Sequence, residues 1–230
     1  ANEPPAFPRR ILADFVRHTS CSSSRVTFGQ PAVPGATLAI TKRIVLRKAV
    51  LGPWDPLVSY AWRYFLARAA QRHSVAVHHT MLAVNHHHTI VTPNHKNISC
   101  FLHDLHQPMS VLLNALLKKR GYDPMGQVFE ARHTHRMRLL DPEAMIQHLM
   151  YQQMQNVAAG LVKRPEEMPG NAFSFDAWGS ESMVMRHPMR ILSDPSCEGQ
   201  RIGATDEADE RNDVRERFTA PPELIALFDG

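Results

Sequence analysis

From residue 37 onward, apolar and polar positions follow one another with a period that changes along the chain. Thr37-Leu38-Ala39-Ile40-Thr41, running into Arg43-Ile44-Val45-Leu46, reads as a first strand with a basic end made by Lys42, Arg43, Arg47 and Lys48. The spacing then becomes helical. Leu57, Ala61, Tyr64, Phe65 and Ala69 share one face after Asp55-Pro56, an N-cap with proline in the first turn. Residues 74–84 and the run from His86 read as an antiparallel hairpin turning near Asn85, or as one long bent strand. Residues 97–120 predict a second helix with Val111, Leu112, Ala115 and Leu116 on its apolar face, a break or kink at Pro108 and a stop at Gly121. Residues 127–132 predict another strand, continued by residues 137–140. Asp141-Pro142 opens a last helix whose packing stripe reads Ile146, Met150, Met154 and Val157, ending at Ala158-Ala159-Gly160.

The resulting order is strand, helix, strand, strand, helix, strand, helix. It predicts an α+β fold, a split βαβ sandwich with an extended helical layer. Before it, residues 1–35 hold five prolines and the run Ser20-Cys21-Ser22-Ser23-Ser24, which reads as an irregular arm with room for a short helix over 9–17.

Composition adds two constraints. Residues 1–165 carry 20 Lys and Arg against 8 Asp and Glu, whereas residues 166–230 carry 6 against 14. A basic body with an acidic tail suits a polyanionic partner whose site the tail shields, or a tail that only adds solubility. Cys21, Cys100 and Cys197 are far apart and make no CxxC pair, so neither a disulfide framework nor a zinc ribbon is indicated. No run approaches 18 apolar residues and the first ten residues lack an apolar signal core, so the expectation is a soluble, cytoplasmic protein of a reducing compartment.

The candidate chemistry starts at His86-His87-His88, inside Ala83-Val84-Asn85-His86-His87-His88-Thr89-Ile90-Val91. On a strand His86 and His88 project from the same face about 6.8 Å apart, and His87 points the other way. Two imidazoles aimed at one spot are a common ligand pair for a divalent metal. The plainer reading is a packed cluster in a chain with 14 histidines. A second signal lies on the last helix, where Tyr151 and Gln155 stand one turn apart on a face that also bears His148.

Together these segments carry a family pattern. Asn85-His86-His87-His88-Thr89-Ile90-Val91 resembles the histidine run of the single-tyrosine HUH transposases, the REP-associated group among them. Tyr151-Gln152-Gln153-Met154-Gln155-Asn156-Val157-Ala158-Ala159-Gly160-Leu161-Val162 resembles that group's tyrosine segment, and the likeness continues through Lys163-Arg164-Pro165. It covers residues 36–170, with a looser likeness at Thr219-Ala220-Pro221-Pro222-Glu223. Gln155, Asn156 and Ala158 depart from the asparagine, proline and lysine frequent at these places, although glutamine still offers a carbonyl oxygen.

The resemblance implies an antiparallel sheet flanked by helices, ferredoxin-like or RRM-like, bounded by the arm and by an acidic extension over 171–230. It implies a homodimer acting on single-stranded, hairpin-bearing DNA with Mg²⁺ or Mn²⁺; zinc is the other ion that such a donor set accepts. His86, His88 and Gln155 match the metal ligands and Tyr151 the nucleophile. Tyrosine suits strand transfer because a phosphotyrosine bond stores the energy needed to rejoin DNA. His148 is a candidate base for Tyr151, or a plain surface histidine. Arg43, Lys118, Lys119, Arg120 and Arg132 are candidate DNA contacts by charge alone. The competing readings are a DNA-binding protein that does not cleave and a zinc-stabilised structural protein that has no need of Tyr151.

Overall fold

The computed structural model describes residues 33–131, 134–168, 178–182, 187–193 and 214–228. The expected helix over 9–17 and Arg132 lie outside these residues. The order of elements is β1 (Leu38–Arg43), α1 (Pro56–His73), β2 (Val75–Leu82), β3 (His86–Pro93), α2 (Ile98–Lys119), β4 (His135–Arg138) and α3 (Pro142–Ala158). Four antiparallel strands form one sheet in the order β2-β3-β1-β4, so β3 lies inside it. This is an α+β fold of ferredoxin-like or RRM-like arrangement.

Strand parity sorts the side chains into two layers. Leu38, Ile40, Val75, Val77 and Val91 pack with α1 and α2 around Trp62, Phe65, Phe101 and Leu105 in the main core. Ala39 and Ile90, from the other face, pack with Met145 and Leu149 of α3. Asp55 caps α1 by accepting from the Leu57 and Val58 amides at 3.0 and 3.4 Å, and Asp141 caps α3 by accepting from Ala144 at 2.8 Å. The hairpin turns through Ala83 to Asn85, closed by the Ala83 amide donating to the His86 carbonyl at 2.9 Å.

Four expectations need correction. β1 ends at Arg43, because Ile44 bridges Phe129 and the chain then leaves the sheet through Leu46 and Arg47, both at positive φ. Among the described residues 127–131 the pairing is that single bridge, and the fourth strand is His135–Arg138. α2 runs unbroken through Pro108: the ring removes one amide donor, while Leu105, Met109, Leu112 and Leu113 stay fully packed on either side. Its exposed Val111 is not part of the packed face. The stripe of α3 is rotated: Met145, Leu149, Gln152 and Asn156 face the sheet, whereas Ile146, Met150 and Met154 are 44%, 57% and 39% exposed. The sheet offers Gln152 a buried partner, the His79 imidazole at 2.9 Å, and Asn156, one turn on, is carried inward on the same face.

The described parts of 171–230 attach to the β2 edge. β5 (Glu181–Ser182) pairs with β6 (Glu216–Arg217), Phe218 bridges Val77, and the Thr219 amide donates to the Val77 carbonyl at 3.0 Å. Arg63 of α1 donates from Nε to both carboxylate oxygens of the buried Glu216, at 3.0 and 2.9 Å. A short helix, α4 (Pro188–Ser193), contacts α1, and Leu224 of α5 (Pro222–Phe228) packs on Met145 and Leu149. No helix among the described residues is long and apolar enough to cross a membrane.

Candidate metal and nucleophile site

His86 and His88 project from β3 toward α3, with ring centroids 4.9 Å apart. β1 supports them from one side, since Thr41 stands opposite His88 and Arg43 opposite His86. His88 Nδ1 lies 2.8 Å from Thr41 Oγ1. When Nδ1–H donates there, Nε2 carries the lone pair, and that nitrogen is buried without a hydrogen-bond partner among the described residues. An uncompensated buried polar atom is costly in a folded protein. A cation accepting that lone pair would remove the cost.

His86 is poised in the same way. Its Nδ1 is 2.8 Å from Asn85 Oδ1, so donation from Nδ1 turns the Nε2 lone pair toward Gln155 Oε1 at 3.4 Å. Two acceptors then face each other. Gln155 Nε2 donates to the Tyr151 hydroxyl at 3.1 Å, and the Tyr151 ring meets His88 edge to face at 5.9 Å between centroids. The four residues singled out from sequence are therefore one cluster.

Burial pushes the His88 imidazole down to about 3, helped by the neighbouring His86, and burial also lowers His86 against the opposing Gln155 hydrogen bond. Both rings are neutral near pH 7, the form in which imidazole binds a metal. Among the described residues no three His, Cys, Asp or Glu side chains converge to hold an ion. The donor set is instead two imidazole nitrogens and one amide oxygen, which suits a small divalent cation of intermediate hardness. His148, one turn before Tyr151, has its ring centroid 6.4 Å from the tyrosine ring, and burial, then His135, lowers its pKa.

The basic candidates separate. Arg43 lies beside the histidine pair on the α3 side of the sheet. Lys118, Lys119 and Arg120 end α2 in the other layer, where Arg120 pairs with Asp55 and Lys119 Nζ donates to the Leu192 carbonyl at 3.3 Å.

One supporting pair escaped sequence reading. His79 Nδ1 is 2.9 Å from Gln152 Oε1, each residue being 1% exposed, so the residue after Tyr151 anchors α3 to β2. Alternation alone would put His79 on the same side as Val77. A register shift between Val77 and His79 turns it to the α3 side, opposite Ile90. His78, inside the shift, bonds Thr92 Oγ1 through Nε2 at 2.7 Å and the Thr219 carbonyl through Nδ1 at 2.8 Å. The doublet His78-His79 in an otherwise apolar strand was the available signal.

No family model and no curated protein matches the chain. Solved structures that resemble the chain include the following two. A REP-associated tyrosine transposase bound to a REP hairpin is 14% identical, with TM-score 0.49, over 63% of this chain and 81% of that one. A protein from Deinococcus radiodurans R1 described as a candidate transposase is 16% identical, with TM-score 0.37, over 50% of this chain and 86% of that one.

Proposed function

We propose that this protein is a metal-dependent single-stranded DNA transesterase that cleaves and rejoins DNA through a 5′-phosphotyrosine intermediate at hairpin-bearing ends. The observation that carries the reading is the chain of contacts from His86 through the Gln155 amide to the Tyr151 hydroxyl. His86, His88 and Gln155 would hold Mg²⁺ or Mn²⁺, which when bound supplies Lewis-acid stabilisation of a phosphate. Gln155 orients the Tyr151 hydroxyl by donating to it, leaving the phenolic proton directed elsewhere.

Tyr151 attacks phosphorus, the phosphorus–oxygen bond to the upstream 3′ oxygen breaks, and that oxygen leaves as a 3′-hydroxyl after taking up a proton. Attack by another 3′-hydroxyl reverses the step and releases the tyrosine. His148 is the proposed acceptor of the phenolic proton, since its lowered pKa keeps it neutral beside Tyr151. Arg43 is the proposed contact for the adjacent backbone phosphate, Lys118, Lys119 and Arg120 are proposed to meet DNA farther away, and Arg132 is a further proposed DNA contact by charge. The acting species is proposed to be a homodimer.

The test is a denaturing gel after incubation with end-labelled hairpin oligonucleotides and Mn²⁺ or Mg²⁺. Label retained on the protein in the presence of metal, and lost in Tyr151→Phe while DNA binding persists, is the expected result. DNA binding with no adduct from the native chain across a varied oligonucleotide pool would replace this reading with that of a non-cleaving DNA-binding protein.

A further inference from the structure

On the α1 and α2 side of the sheet, facing away from Tyr151, a cleft of about 750 Å³ opens between α2, the strands β1 and β4, and the segment that bridges Ile44. Strand register builds its floor. Thr41 is turned to His88 on the opposite face, so Lys42 points into this layer, and Arg136, standing across from Ile40, reaches the same side from β4. Both cations line the cleft and both are half-buried. The acidic residue in the lining is Glu130, which leaves the floor with an excess of positive charge.

The rest of the lining completes a recognisable chemistry. Gln107 of α2 presents a side-chain amide, and Gln127 of the opposite wall donates from Nε2 to the Phe129 carbonyl at 3.0 Å, which fixes its carboxamide with Oε1 and a second N–H left for a ligand. The volume falls within the range of about 300–1,000 Å³ common for small-ligand pockets. Lys42 and Arg136 share one face of the paired strands β1 and β4, and a phosphate seated there would accept charge-assisted hydrogen bonds from both. Burial lowers the Lys42 pKa while Glu130 opposes the shift, in keeping with a desolvated ammonium. At the cleft wall His106 Nε2 lies 2.8 Å from Nε2 of the fully buried His87.

We propose that this cleft binds a nucleotide, with Lys42 and Arg136 taking its phosphate and the Gln107 and Gln127 amides taking the polar edge of its base. Carboxamides pair well with base edges because both offer a donor beside an acceptor. The site is on the reverse of the sheet from the tyrosine, and its occupancy does not depend on the transesterase reading. A free nucleoside monophosphate and a single nucleotide within a DNA strand present the same chemistry.

Isothermal titration of the full chain with deoxyadenosine monophosphate, with a short oligothymidylate and with inorganic phosphate separates the sources. Saturable binding of the mononucleotide assigns the free ligand; binding of the oligonucleotide without the mononucleotide assigns a strand. In either case Lys42→Gln and Arg136→Gln should each weaken binding about tenfold, the loss expected for one charge-assisted contact. Inorganic phosphate should bind more weakly than either. Absence of binding by both nucleotide probes, or equal binding by the native chain and both variants, would overturn the proposal. Where a variant fails to fold, the His106 imidazole resonances of the native chain decide: they shift on adding the bound probe, and unmoved resonances reject the site.

Discussion

Thr41 Oγ1 lies 2.8 Å from Nδ1 of His88, across two neighbouring strands, and so ties down that nitrogen and leaves Nε2 as the one without a hydrogen-bond partner among the described residues. Under the proposed function Thr41→Val leaves the His88 ring free to turn or to change tautomer. Outer contacts to a ligating histidine are worth about 10- to 100-fold in metal affinity. Titration with Mn²⁺ should show a loss of that order with the fold retained; unchanged affinity would remove Thr41 from the site.

Gln152 and His79 hold α3 at its rotation on the sheet. Gln152→Leu leaves a buried imidazole N–H without an acceptor and should cost about 1–3 kcal/mol in urea denaturation. Combining it with His79→Phe removes both polar partners, and the double variant should recover part of that stability. If the two losses simply add, the pair is not energetically coupled.

Acid should destabilise the fold through His79, which is buried, and His106, which is half-buried. Burial lowers His79 to about 4 and His106 to about 3, against an ordinary value of 6.5. Between the folded and unfolded values the unfolded chain binds more protons, so the stabilising contribution is complete above about pH 6.5 and is lost as pH falls toward the folded values. Each group adds a slope of about 1.4 kcal/mol per pH unit within that window. Urea midpoints should be level from pH 8 to 7 and fall from pH 6 to 5. A midpoint that does not move by pH 5 would contradict neutral rings at these two positions.

Residues 214–228 are part of the packed structure, as the Arg63–Glu216 pair and the seat of Leu224 require. Glu216→Gln should lower stability by about 1–3 kcal/mol, a range reduced from that of a fully buried pair because Arg63 is partly exposed. Truncation after residue 213 should lower it further by uncovering the β2 edge and the core positions of Phe218 and Leu224. A truncated chain as stable as the native one would show that these contacts contribute nothing.

The proposed site was readable in sequence because its parts are local. His86 and His88 follow from a period of two, and Tyr151 and Gln155 from a spacing of four. The order of elements, the two Asp-Pro helix starts and the Asn85 turn were also legible, since capping and turn chemistry act within a few residues. Their meeting across the sheet was carried only by the family resemblance.

Tertiary structure decided what spacing could not. The stripe Ile146, Met150 and Met154 has helical period and apolar character, yet α3 turns Gln152 and Asn156 inward, because His79 on β2 offers a buried partner for Gln152. His79 itself faces α3 only through the register shift after Val77, and periodicity cannot report a shift that depends on a neighbouring strand. The Lys42 and Arg136 cleft likewise exists only once β1 and β4 pair in register. Local chemistry thus determined the elements and the candidate groups, whereas the rotation of α3 and the facing of each strand were set by long-range pairing.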